Sequence, residues 1–99
     1  MTPETKFKKE LTKEIEARFP SSMVLRTNPN HIQGIPDIIV LKDDKWAALE
    51  VKKSASAEHQ PNQDYYVDQM DEMSYAAFVY PENKEEVLDA LQQTFEPGR

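Results

Sequence analysis

Two short apolar runs, Ile38-Ile39-Val40-Leu41 and Trp46-Ala47-Ala48-Leu49, flank the polar break Lys42-Asp43-Asp44-Lys45. Each is too short for an independent helix, and a compact polar break between them predicts a β-hairpin. With Asp43 and Asp44 at its tip, Lys42 faces Lys45, Leu41 faces Trp46, and Asp37 faces Glu50. A four-residue loop centred on the same point keeps these pairs, whereas a one-residue bulge would break them.

This pairing has a chemical consequence. Residues directly opposite across an antiparallel pair project from one face with Cβ atoms roughly 5 Å apart. Asp37 and Glu50 therefore meet, and strand alternation places Lys52 on the face of Glu50, while Leu49 and Val51 turn away. Two carboxylates that close repel by roughly 3 kcal/mol at an effective dielectric of 20, a cost that Thr or Val would avoid. A divalent cation between them reverses the sign of that interaction. Lys52 offsets it in part and is a candidate to orient a water that attacks a phosphodiester, or to stabilise the charge that develops. The plainer alternative makes Asp37 a strand-start residue and Glu50-Val51-Lys52 the solvated face of an edge strand. Glu-x-Lys recurs at Glu4-Thr5-Lys6 and Glu82-Asn83-Lys84, both at expected helix starts, but only the hairpin copy has an Asp opposite it.

The remaining chain reads as helical cover for this hairpin. Thr2 as N-cap, Pro3 at the first helical position and Phe7, Leu11, Ile15 and Phe19 at four-residue spacing predict a helix over residues 3–19. Pro20-Ser21-Ser22 ends it, Met23-Val24-Leu25 is a short strand, and residues 26–34 read as a loop. Beyond a polar connection over 54–62, a helix is expected over 64–73, a buried strand over 75–80 and an amphipathic helix over 81–95. The expected fold class is α/β: a mixed four-stranded sheet flanked by helices in the order αβββαβ, with an extra C-terminal helix, forming one domain over 1–99. Trp46, Tyr65, Tyr66, Met70 and Met73 are read as core.

Composition narrows the chemistry. With 99 residues there is enough chain for one core and no more. No cysteine is present, so disulfides and thiolate zinc are excluded, and carboxylate, carbonyl and water ligands favour magnesium or manganese. His31 and His59 are not assigned as ligands. The net charge of −6 argues against a protein that coats nucleic acid nonspecifically, but not against a nuclease whose carboxylates become a cation site. The N-terminus has no signal-peptide pattern, and no apolar run is long enough to span a bilayer, so an intracellular protein without membrane partners is expected.

Gly34-Ile35-Pro36-Asp37, twelve intervening residues and then Glu50-Val51-Lys52 resemble the PD-(D/E)XK nuclease superfamily, including its Holliday junction resolvase and VRR-NUC branches. The likeness extends over most of the chain and is nearest to the small phage-encoded members, which implies a restriction-endonuclease-like core and action in the cytoplasm of a host. It implies a metal-dependent DNA endonuclease, either nicking or selective for junction or branched DNA, with Mg2+ or Mn2+ and no small-molecule cofactor. Asp37 and Glu50 would bind the metal, Val51 would lend its backbone carbonyl, and Lys52 would assist the attacking water. Glu4 matches the acidic residue that many members supply from the first helix, with Glu10 and Glu14 as competitors. Gln63 matches the Gln that VRR-NUC-like members carry after this strand, where it hydrogen-bonds near the scissile phosphate; the alternative is an ordinary helix-start residue.

Lys6, Lys8, Lys9 and Lys13 on the first helix are candidates to meet phosphates. The residues expected to contact nucleic acid are Lys6, Lys9, Lys53, and Arg26, His31 and Gln33 bordering the loop before Asp37. Cutting both strands takes two active sites, so a homodimer is expected. The rival from another class is a noncatalytic nucleic-acid-binding or assembly subunit on the same fold.

Overall fold

The computed structural model describes residues 1–28 and 30–98; Pro29, part of the expected 26–34 loop, lies outside them. Helix α1 spans Pro3–Arg18, and the Thr2 Oγ1 accepts the N–H of Thr5, so the expected cap forms. Its buried stripe is Phe7, Leu11 and Ile15, with Phe19 closing the C-terminal end. Strands β1 (Met23–Arg26), β2 (Ile38–Lys42) and β3 (Lys45–Val51) follow, then α2 (Gln63–Met73), β4 (Tyr75–Val79) and α3 (Lys84–Phe95).

The four strands form one sheet in the order β1-β2-β3-β4, antiparallel at its first two junctions and parallel between β3 and β4. This is the mixed α/β architecture expected from sequence. The hairpin register is as expected too: Lys42 pairs with Lys45, Leu41 with Trp46 and Ile38 with Leu49. Asp43 takes a positive φ of 56° at the turn, a conformation that Asp tolerates better than most residues.

One face of the sheet carries the main core. Ile38, Val40, Ala47, Leu49, Val51 and Val79 meet Phe7, Leu11, Ile15 and Phe19 from α1 and Val87, Leu88, Leu91 and Phe95 from α3. The rings of Phe19 and Phe95 join the two helices edge to face, 5.4 Å apart. On the other face α2 covers a smaller cluster of Ala48, Val67 and Ala76, with Ile39, Trp46, Met70 and Phe78 packed at its margin. Glu50, two residues beyond Ala48, belongs to this second face by alternation.

Three expectations need correction. The last helix begins at Lys84 rather than residue 81, because Pro81–Asn83 form a 3-10 turn. Asn83 holds that turn by accepting the N–H of Tyr80 and donating to the carbonyl of Phe78. Arg26, placed in the loop by its neighbours, extends β1 by pairing with Ile38. Tyr65 and Met73 are 59% and 71% exposed and are not core, since they leave the sheet-facing side of α2 that Val67 and Met70 occupy.

Candidate active site

The site forms where β2 begins and β3 ends. The backbone of Asp37 continues the sheet just beyond β2, its carbonyl accepting the N–H of Thr27, while the Thr27 hydroxyl donates to the carbonyl of Pro36. These contacts leave the Asp37 side chain directed at β3, where Oδ2 accepts the N–H of Val51 at 2.8 Å. Its other oxygen lies 3.7 Å from the ammonium of Lys8, one helical turn after Glu4 on α1.

Glu50 is only 4% exposed, and its Oε1 is buried without any hydrogen-bond partner. Burial pushes its carboxyl up to about 8; the neighbouring Asp37 carboxylate acts in the same direction, and Lys52 and Lys8 oppose it. Near neutral pH, then, the pair holds a proton in place of a second negative charge. An orphaned buried carboxylate oxygen beside a second carboxylate is an arrangement that a hard divalent cation satisfies. Among the described residues no group of three or more His, Cys, Asp or Glu side chains gathers at metal-binding range. Asp37 and Glu50 are two carboxylates that could hold such an ion, with backbone, water and substrate oxygens in its other positions.

Lys52 is also buried, at 6% exposure, and its ammonium donates to Gln63 Oε1 at 2.7 Å and to the Glu58 carbonyl at 3.2 Å. Gln63 Oε1 accepts the N–H of Gln60 as well. The carboxamide oxygen of Gln63 is thereby committed to the chain's own groups and acts on Lys52 directly.

A cleft of about 680 Å³ opens over these groups. Glu4, Asp37, Glu50, Lys52, Lys53 and Gln63 line it, so residues far apart in sequence converge as expected. Of the three acidic competitors on α1, Glu4 alone is on this wall: Glu14 pairs with Lys84, and Glu10 lines a second cleft of about 330 Å³. Lys6 borders that second cleft, which shares Pro3 with the first. Lys9, Arg26, His31 and Gln33 are exposed and line neither cleft.

Sequence reasoning passed over Glu58 and Gln60 on the cleft wall, and read Lys8 only as a candidate phosphate contact, not as a neighbour of Asp37. Lys8 was detectable, because residues four apart share a helix face and Glu4 was already a candidate. Glu58 takes part through its backbone carbonyl, which side-chain identity does not signal.

Gly34 explains how the preceding loop is held. Its φ is +91°, and a Cβ there would lie 2.7 Å from Cβ of Asn62 and 2.8 Å from the Pro61 carbonyl oxygen. The loop into Asp37 consequently packs against the segment that leads into Gln63, and only glycine permits that approach.

No protein-family model and no curated protein matches the sequence. Among solved structures, a VRR_NUC domain protein matches with a TM-score of 0.59 at 15% identity, covering 91% of this chain and 88% of its own. At that identity the likeness is one of fold, and it agrees with the mixed four-stranded α/β architecture described above.

Proposed function

We propose that this protein is a metal-dependent DNA endonuclease that hydrolyses phosphodiester bonds. The observation that carries the reading is Glu50: a carboxyl buried against Asp37, with one oxygen unpartnered, on the wall of a cleft that also presents Glu4, Lys52 and Gln63. Asp37 and Glu50 would hold magnesium or manganese, with the Val51 carbonyl as a further ligand and Glu4 acting through water. A bound divalent cation supplies positive charge to the phosphate and Lewis acidity at the reacting centre.

The protein's own groups do the rest. Asp37 keeps its carboxylate in place through the Val51 N–H, so the orientation of that ligand is built into the end of the sheet. Two of the three ammonium protons of Lys52 are taken up by Glu58 and Gln63, and the third is free to orient the attacking water or stabilise charge on the phosphate. Lys53 on the cleft wall and Lys6 in the adjoining cleft are the basic side chains best placed to meet flanking phosphates. A homodimer belongs to this reading, since two sites are needed to cut both strands; Met23 and Leu25 on edge strand β1 are exposed apolar groups available for such a contact.

The test is cleavage of labelled linear duplex, nicked, single-stranded and four-way-junction DNA with magnesium, manganese or chelator, beside Asp37→Asn and Lys52→Ala. Metal-dependent cutting that both variants lose is the expected result. DNA binding without cutting by the wild type under every condition would instead favour the noncatalytic subunit.

A further inference from the structure

Of the two acceptors that hold the Lys52 ammonium, the Glu58 carbonyl comes from the connection between β3 and α2, and the Gln63 carboxamide from the first residue of α2, where that connection ends. From Ser54 to Asn62 that connection has neither helix nor strand. Something must keep it from drifting, since an irregular polar segment is ordinarily among the more mobile parts of a domain.

His59 has the geometry for that task. It lies between Glu58 and Gln60, two residues of the cleft wall, without lining the cleft itself. Its ring stacks on Phe78 at 4.0 Å with a 15° interplanar angle, and its Nδ1 is 2.8 Å from Asp64 Oδ1. The two contacts constrain different motions: stacking sets the plane of the ring against the sheet, and the hydrogen bond sets its rotation and ties it to the first turn of α2. Phe78 is also the β4 partner of Glu50. The acceptors of Lys52 are in this way referred to the strand pair that carries Glu50. As an exposed ion pair alone, His59 and Asp64 would contribute little; the added stack is what makes the arrangement a clasp.

We propose that His59 is a positioning residue: clasped between Phe78 and Asp64, it fixes the connection that supplies the Glu58 carbonyl against the start of α2 that supplies the Gln63 side chain, the two acceptors of the Lys52 ammonium. The kinetic consequence rests on the nuclease reading above, whereas the geometric claim does not.

Two measurements separate these claims. In metal-free protein, the ¹⁵N–¹H signal of the Lys52 ammonium reports how firmly that group is held, without any turnover. His59→Ala should weaken or broaden this signal and lower kcat for metal-dependent cleavage about 10- to 100-fold, with KM changed less than about two-fold. His59→Phe, which can retain the stack but lacks the Nδ1 donor, should fall between wild type and His59→Ala, and serves if the alanine variant does not fold. An unchanged ammonium signal in either folded variant overturns the proposal. Should the wild type cut no DNA with magnesium or manganese, the nuclease reading fails, and the ammonium signal still decides whether His59 holds Lys52.

Discussion

Asp37 and Val51 are joined by a hydrogen bond of 2.8 Å in which the Asp37 carboxylate takes the place of a strand partner for the Val51 N–H. The same side chain thus ends a sheet ladder and presents a ligand. Asp37→Asn retains an oxygen able to accept that N–H and removes the negative charge beside the buried Glu50 carboxyl. It should stay folded, with a Tm at or above that of metal-free wild type, while losing cleavage. Asp37→Ala leaves the N–H unpaired and should lose about 1 to 3 kcal/mol by urea denaturation. Equal stability of Ala and Asn variants would count against this dual role.

Glu50 makes metal-free stability depend on pH. Its carboxyl titrates near 4.5 in the unfolded chain and about 8 in the folded protein. Below the lower value both states carry the proton. Between the two, the folded protein keeps a proton that the unfolded chain has released, so stability falls as pH rises, and the loss is complete above about 8. Its size is on the order of 4 kcal/mol. Glu50→Gln, neutral at every pH, should therefore be more stable than wild type at pH 9 and about equal to it near pH 4.5. Denaturant midpoints across that range, taken with chelator present, check both ends.

Metal binding should expel the same proton. At pH 7 Glu50 is mostly protonated, and coordination requires the carboxylate, so about one proton should be released per metal bound. Manganese titrations by calorimetry in buffers of different ionisation enthalpy measure this number directly. It should shrink towards zero by pH 9, and Glu50→Gln should show neither the release nor tight binding. Binding without proton release at pH 7 would place the metal elsewhere.

Gly34 is a backbone requirement that acts on the site. Gly34→Ala would force a Cβ to 2.7 Å from Asn62 at a φ of +91°. A loss of about 1 to 3 kcal/mol is expected by thermal or urea unfolding, with cleavage reduced because the loop into Asp37 no longer seats on the 61–62 segment. Full activity in Gly34→Ala would show that this docking does not matter to the site.

Much of the fold was legible because it rests on local patterns. The stripe Phe7, Leu11 and Ile15 with its Thr2 cap fixed α1 to within a residue at its end, and the Lys42-to-Lys45 turn set the β2–β3 register. Register in a hairpin follows from turn position and alternation, so the turn alone sets Asp37 against Glu50. Boundaries failed where a local preference lost to tertiary context: Arg26 joined β1 because Ile38 was there to pair with it. Tyr65 and Met73 were misread as core because apolar character alone does not say which side of α2 the sheet takes.

The amino-acid sequence by itself determined most of the secondary elements and the hairpin register, since these depend on neighbours a few positions apart. Only the tertiary structure decided that Glu4 rather than Glu10 or Glu14 lines the cleft, that Gln63 serves Lys52, and that Glu50 is buried deeply enough to hold its proton near pH 7. The physical reason is range: periodicity and turn chemistry act along the chain, whereas desolvation and side-chain hydrogen bonds depend on what is packed alongside from distant segments.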